Sequence, residues 1–180
     1  MPDLPRFAGV IACSKAKDPR AEPVIARERY RGRAFRLALA AVDNFRDERH
    51  RADLFIVSAR FGVVGEWDAI PYYDASIPTG KGISVWREST RMPEALLDRL
   101  ATYDAAVVAL PRAYLDALGV TAWRPASGFL VSSGTQDLGD GWEFVPAGKA
   151  EAHARSVAPR EVGVHVFAEV LARLKRGWTA

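Results

Sequence analysis

The chain has 180 residues, of which 49% are hydrophobic and 26% are charged, a composition typical of one soluble globular domain. Its single cysteine, Cys13, excludes an internal disulfide framework and a four-cysteine zinc site. The formal net charge is only +3, but residues 1–51 hold 12 Lys and Arg against 7 Asp and Glu, and this basic segment suits an anionic partner such as a phosphate or a nucleic acid.

The first predicted strand is the continuous apolar run 7–12, of the kind that is buried on both faces of a sheet. A loop containing glycine and prolines follows over residues 18–32. Apolar residues then recur at helical spacing over residues 33–47, which predicts an amphipathic helix. A second apolar strand is predicted at 53–58. Residues 62–82 are rich in glycine and proline and are expected to form a long functional loop.

The second half of the chain continues this alternation of strands and helices. Its predicted helices are 93–101, 111–118 and 160–175, and its predicted strands are 105–110 and 129–131, with 142–145 as an edge strand. The alternation predicts one α/β domain over residues 1–180. We expect a three-layer sandwich with a mostly parallel four-stranded sheet and helices on both faces.

Ligands of open α/β sheets bind where the parallel strands end, because all the strands end at one edge. The segments that directly follow the predicted strands are therefore expected to meet there. These segments are residues 13–17, 58–61, 111–114 and 132–135.

The first of these segments carries two lysines, Lys15 and Lys17, which are suited to hold a phosphate as point charges. Ser14 and nearby backbone N–H groups would add hydrogen bonds, although the glycines of a P-loop are missing. Flanking lysines lower the pKa of a thiol, so Cys13 is a candidate nucleophile or substrate contact. The alternatives are a solvated lysine pair and a small buried cysteine.

The segment before the first long helix combines cations with a phenol. Arg29, Tyr30 and Arg31 could contact a phosphate or stack on a base, and Gly32 is expected to supply a backbone turn. The alternative is a helix-entry turn with a packed tyrosine.

Two carboxylates and two phenols lie close together in the long loop. Asp68 and Asp74, with Tyr72 and Tyr73 between them, form the best candidate acid–base group of the chain. A carboxylate near a sugar can stabilise an oxocarbenium-like transition state, and the tyrosines or Phe61 could enclose a base. The alternative is that both aspartates serve only as turn residues.

Several enzyme classes are excluded by missing motifs. The three histidines, His50, His153 and His165, form no metal-binding pattern, so a zinc deaminase or metalloprotease is not expected. The G-x-S-x-G motif of serine hydrolases and the G-x-G-x-x-G motif of dinucleotide-binding proteins are also missing. We therefore predict a protein without metal or cofactor.

The cellular location is predicted from the absence of signal and membrane-spanning segments in the sequence. The N-terminal segment has no apolar signal core, and no apolar run is long enough to span a bilayer. The single cysteine fits a reducing compartment. A cytoplasmic protein without membrane contact is expected.

Four short elements resemble the motifs of a family of uncharacterised bacterial and phage domains. The family's motifs are C-x-x-x-K, L-Y-x-G-x-x-F, S-A-K-x-G-L and P-Y-D, and the matching residues here are 13–17, 29–35, 58–63 and 71–74. Arg29 stands where the family usually has leucine, and Arg60 stands where lysine is usual. The last element contains one extra tyrosine. The resemblance covers residues 8–75.

This resemblance implies an α/β fold similar to that of uracil-DNA glycosylases. Such domains occur near nucleic-acid modification and phage-defence functions, which implies a related role. It suggests nucleobase chemistry. Together with the carboxylates of the long loop, this leads to our first hypothesis, an enzyme that cleaves the N-glycosidic bond of a modified nucleobase in DNA, RNA or a nucleotide. Asp68 or Asp74 would stabilise the sugar cation or activate water. The substrate-binding candidates are Cys13, Ser14, Lys15, Lys17, Arg29, Tyr30, Arg31, Ser58, Arg60, Phe61, Tyr72 and Tyr73.

Two other functions are compatible with the same residues. The first is a module that binds a nucleotide or a nucleic acid without turnover. The second is a structural subunit, which an exposed apolar patch containing Trp86, Trp123 or Trp178 would favour.

Overall fold

Six strands form one mixed sheet in the computed structural model, which describes residues 4–119, 128–132, 142–158 and 161–177. In chain order, the strands are β1 (Arg6–Ala12), β2 (Val24–Ile25), β3 (Arg51–Ser58), β4 (Gly62–Gly65), β5 (Ala69–Ile70), β6 (Ala105–Ala109), β7 (Gly128–Ser132) and β8 (Trp142–Pro146). The large sheet has the order β4-β3-β1-β6-β7-β8. All its neighbouring strands are parallel except β3 and β4, while β2 and β5 form a separate antiparallel pair.

Helices cover both faces of the large sheet. They are α1 (Ala26–Arg29), α2 (Arg33–Phe45), α3 (Gly82–Thr90), α4 (Glu94–Leu100), α5 (Arg112–Leu118), α6 (Lys149–Ala154) and α7 (Val162–Gly177). The helices α2 and α7 pack together on one face. The helices α3, α4 and α5 pack on the other face. No helix in the described ranges is long and apolar enough to cross a membrane.

The central strand β1 supplies side chains to the hydrophobic cores on both faces. Phe7 and Ile11 pack towards α2 and α7, whereas Ala8 and Val10 pack towards the opposite helices, as the alternation of side chains along a strand requires. Gly9 lies under α7, and a Cβ atom at this position would be 2.9 Å from the ring of Phe167. The helix therefore approaches the strand more closely than another residue would allow.

The α/β class and the helices on both faces are confirmed, but the prediction of a four-stranded sheet is wrong. The sheet has six strands because β4 pairs with β3 in an antiparallel hairpin and because β8 pairs with β7. Residues 62–65 begin and end with glycine and lie in a segment that the sequence predicts to be a loop. The hairpin turn depends on Gly62, whose φ of 72° favours a residue without a side chain.

The strand order reverses beside β1. The chain passes from β1 to β3 and β4 on one side, then returns to β6 on the other side and continues to β7 and β8. The segments after β1 and β6 lead to helices on opposite faces of the sheet. Divergent connections of this kind leave a crevice at the carboxyl ends of the two strands, where open α/β sheets bind their ligands.

Candidate functional site

A cleft of about 760 Å³ occupies this crevice. Its inner wall is apolar and includes Ile11, Phe35, Val131 and Val164, whereas its polar groups come from Ser14, Lys15, Arg33, Arg112 and Glu161. We call it the edge cleft. Its volume lies within the usual range for sites that bind small molecules, and its lining combines apolar walls with a few polar groups in the same way.

Three cationic side chains line the edge cleft. Lys15 is exposed and has no hydrogen-bond or ion-pair partner among the described residues. Arg33 is 74% exposed and lies 3.6 Å from Glu161, and Arg112 donates a hydrogen bond of 2.7 Å to Asp116. Positive charge on exposed side chains around an apolar wall favours an anionic ligand.

The N-terminus of α2 also faces the edge cleft. Gly32 is the residue before the helix, no side chain caps this terminus, and its first turn holds no acidic residue. Ser14 Oγ accepts a hydrogen bond of 3.0 Å from Gly32 N, and a Cβ atom at Gly32 would lie 2.1 Å from that oxygen. Gly32 thus allows the loop after β1 to lie against a helix terminus that attracts anions.

Tyr73 joins the other predicted site segments in a buried cluster. Its hydroxyl lies 2.8 Å from that of Tyr30 and accepts a hydrogen bond of 3.0 Å from Ser58. Lys17 Nζ lies 4.4 Å from the centroid of its ring, and the ring of Phe61 packs against it edge-on at 5.1 Å. We call these five residues the tyrosine junction. The structure therefore brings together residues of all four motif segments.

The phenols near the strand ends stay protonated at neutral pH. Burial raises the pKa of Tyr30 to about 12, and burial also raises the pKa values of Tyr73 and Tyr114. Tyr114 Oη lies 3.2 Å from Cys13 Sγ, so the thiol contacts a neutral phenol instead of a base. These groups serve as hydrogen-bond partners and provide no base that would activate Cys13.

The raised pKa of Tyr30 makes the stability of the protein fall at high pH. Because Tyr30 ionises at about pH 12 in the folded state and near pH 10.0 when unfolded, its neutral form favours folding below pH 10. This contribution, about 2–3 kcal/mol, is lost as the pH rises from 10 to 12. Urea denaturation from pH 9 to 12 should show the stability advantage of the wild type over Tyr30→Phe shrinking across this range. Parallel stability curves for the two proteins would contradict this prediction.

Arg29, which the sequence predicts to contact a phosphate, is buried and is not positioned for this contact. Its side chain is fully buried, and its guanidinium donates to the backbone carbonyls of Asp18, Arg20, Glu22 and Ile70 at 2.6–3.2 Å. It organises the loop after β1 because it ties four main-chain oxygens to one group. It stands at the sequence position where the resembling motif usually has leucine, and here this position is buried.

Arg31 is also engaged within this loop. Its guanidinium donates to the carboxylate of Asp18, which is buried and accepts further hydrogen bonds from the side chain and backbone of Arg20. The hydrogen bonds from Arg20 hold the pKa of Asp18 far below its ordinary value. The carboxylate of Asp18 is therefore an anion that Arg20 and Arg31 bind within the protein.

The two predicted catalytic aspartates do not form one group. Asp68 accepts a hydrogen bond of 2.7 Å from Gly65 N and lines a separate cleft of about 310 Å³. Gly65 pairs with Phe55, whereas the neighbour of Asp74, Tyr73, is bound to Ser58. Phe55 and Ser58 lie three residues apart along β3, which corresponds to about 10 Å of extended strand. Asp68 thus lies at the turn after β4, away from the tyrosine junction.

The remaining predicted residues lie on the surface near the tyrosine junction. Asp74 and Arg60 are exposed, and neither side chain has a hydrogen-bond or ion-pair partner in the described part of the chain. Tyr72 is 49% exposed.

Trp86 is buried and therefore does not belong to the exposed apolar patch that a structural subunit would need. Residues 133–135, Trp123 and Trp178 lie outside the described ranges.

Arg33, Arg112 and Glu161 line the edge cleft but were not among the predicted site residues. Arg112 belongs to the segment 111–114, which the rule of the carboxyl edge places at this end of the sheet. Glu161 comes from the segment before α7, and its position depends on how α7 packs against α2. No local pattern in the sequence reports that packing.

Comparison with protein families gives a match over residues 9–128, which is more than half of the chain. The family is described as a family of unknown function, DUF6884. The matched segment begins in β1 and ends at the first residue of β7, so it includes Lys15, Arg33 and Arg112 but not Glu161. No curated protein and no solved structure matches the chain.

Proposed function

This chain belongs to the family of unknown function DUF6884, and we propose that it binds a nucleotide, free or within a nucleic acid, with a phosphate in the edge cleft. The observation that carries this proposal is the set of cations around an uncapped helix N-terminus at the point where the strand order reverses. That position is the usual ligand site of open α/β sheets.

The phosphate is the best-supported part of the ligand. Lys15 is a free cation in the described part of the chain, and Arg33 and Arg112 lie on the rim with exposed side chains. The backbone N–H groups of the first turn of α2 add donors and a favourable dipole. Together they match the charge and the acceptor atoms of a phosphate better than those of a neutral ligand.

The inner wall of the cleft suits the less polar part of a nucleotide. Ala12 and Ala109 are partly exposed and belong to the apolar lining of the cleft. A base or sugar seated there would cover apolar surface, while its phosphate stayed at the polar rim. The volume of about 760 Å³ has room for such a unit.

As the reaction, we propose cleavage of an N-glycosidic bond, in line with the resemblance to domains with a fold similar to uracil-DNA glycosylases. Asp74 is the carboxylate of the predicted pair that lies at the carboxyl edge, next to Tyr73. It is exposed and carries no internal partner among the described residues, so it is free to act on a substrate. A role in nucleic-acid modification or phage defence belongs to this proposal.

A binding module without turnover is the second candidate. The observation in its favour is that Asp74 does not line the edge cleft and that Asp68 lies elsewhere on the sheet. A module of this kind needs the cations but no carboxylate.

Lys15→Ala should weaken the binding of adenosine 5′-monophosphate (AMP) by about 10-fold or more, because a charge-assisted contact contributes roughly 1.5–3 kcal/mol. Isothermal titration calorimetry at low salt measures this effect. The affinity should also fall as salt is raised. The matched control is Lys81→Ala, which removes an exposed lysine outside the edge cleft and should leave the affinity unchanged. Equal losses in the two variants, or no binding of AMP and inorganic phosphate by the wild type, would refute the site.

A further inference from the structure

Glu161 is a buried carboxylate whose hydrogen-bonding capacity is unused within the described residues. It is only 7% exposed, and it lines the edge cleft. In the described ranges its sole charged contact is Arg33, whose Nε lies 3.6 Å from Oε1, too far for a hydrogen bond. A carboxylate can accept about four hydrogen bonds. Because this one lines the edge cleft and accepts none from the described residues, donors of a bound ligand can reach it.

The main chain holds Glu161 in place at the start of α7. Its carbonyl oxygen accepts hydrogen bonds from Val164 N at 3.1 Å and His165 N at 3.2 Å, and its own N–H donates to Ala158 at 2.8 Å. These hydrogen bonds link the main chain of Glu161 to Ala158 and to the first turn of α7, and they place the residue at the start of that helix.

The neighbours of Glu161 identify which part of a nucleotide would face it. Arg33 contacts Glu161 and is also one of the cations assigned to the phosphate, so the carboxylate lies beside the phosphate position. A phosphate itself offers no donor and would be repelled by the carboxylate. In a nucleotide, the group next to the phosphate is the sugar, and the donors of the sugar are its hydroxyls.

We infer that Glu161 accepts hydrogen bonds from the ribose hydroxyls of the bound nucleotide, and that the edge cleft therefore selects ribonucleotides over 2′-deoxyribonucleotides. This inference rests on the proposed binding of a nucleotide phosphate in the same cleft. Carboxylates recognise the ribose 2′-hydroxyl in dinucleotide-binding folds through the same chemistry. Here the carboxylate comes from the N-terminal end of the last helix.

The test compares the calorimetric affinities of AMP, 2′-deoxy-AMP and inorganic phosphate for the wild type, Glu161→Gln and Glu161→Ala. Wild type should bind AMP about 10-fold or more tightly than 2′-deoxy-AMP, since a hydrogen bond to a charged group contributes roughly 1.5–3 kcal/mol. Both variants should lose most of this preference. Their affinity for inorganic phosphate should stay the same or rise, because a repulsive charge beside Arg33 is removed. Glu88→Gln, which changes an exposed carboxylate outside the edge cleft, should keep the preference of the wild type.

The outcomes separate the inference from the proposed function. Equal binding of AMP and 2′-deoxy-AMP by the wild type, or an unchanged preference in both variants, would overturn the role of Glu161 while the phosphate site stood. Failure of the wild type to bind phosphate and AMP would overturn the proposed function itself. A 5′-phosphorylated oligoribonucleotide added as a fourth probe distinguishes the source of the ribose: tighter binding than AMP supports an RNA end, and weaker binding supports a free nucleotide.

Discussion

Arg29→Met is expected to lower the free energy of unfolding by about 3 kcal/mol. The substitution removes the donors of four backbone carbonyls, two of which are in buried hydrogen bonds, and an unsatisfied buried acceptor costs about 1–3 kcal/mol. Part of this loss is offset because a buried charge is also removed. For a domain of this size, the melting temperature should fall by about 6–12 °C. Urea denaturation of the two proteins, with fitted slopes, measures the change.

The matched control for this substitution is Arg36→Met. Arg36 lies on α2, is exposed, and has no side-chain partner in the described part of the chain, so its loss should change stability by less than about 0.5 kcal/mol. Arg29→Lys should fall between the two, because an ammonium cannot reproduce the planar array of donors of a guanidinium. If Arg29→Met were as stable as Arg36→Met, the four carbonyls would have to find other donors, and Arg29 would not organise the loop.

Asp74→Asn is expected to reduce nucleobase release by at least about 100-fold if Asp74 acts in N-glycosidic cleavage, since positioned acid–base groups typically contribute 10²-fold to 10⁴-fold. Mass spectrometry of free bases released from modified phage DNA and from RNA provides the measurement. The affinity for AMP should change little, because Asp74 does not line the edge cleft. This combination would separate a role in the reaction from a role in binding.

Asp68→Asn is the control for this experiment and should release bases at the rate of the wild type, because Asp68 lies at a turn near the other end of β3. Full activity of Asp74→Asn would remove Asp74 from the reaction. If the wild type bound nucleotides but released no base from either nucleic acid, the binding module would be the better description.

Most strands and helices could be predicted because their signals are local. The apolar runs at β1, β3, β6 and β7 and the helical spacing in α2 report burial through their own side chains. The strand β4 could not be predicted in this way, since four residues that begin and end with glycine carry too short a pattern. The order of the strands is also not local, because the sequence gives no reason for β6 to pair with β1 and not with β3.

The rule that parallel strands end at one edge places the loop after β1 beside the edge cleft, as the structure shows, but several residues that line this cleft were not predicted. The prediction that Arg29 contacts a phosphate rested on its charge alone. A buried arginine and a phosphate-binding arginine cannot be distinguished in a sequence. Glu161 could not be found, since its place in the edge cleft depends on contacts between α2 and α7, which lie more than a hundred residues apart.

The tyrosine junction has a consequence for how this chain can change during evolution. One phenolic oxygen at Tyr73 is bonded to Ser58 and Tyr30, and the same ring touches Lys17 and Phe61. Residues that share a partner influence one another, so the effects of substitutions among them do not add. The effect of a substitution in one motif segment therefore depends on the residues present in the other three. We expect the four segments to change in a correlated way during evolution.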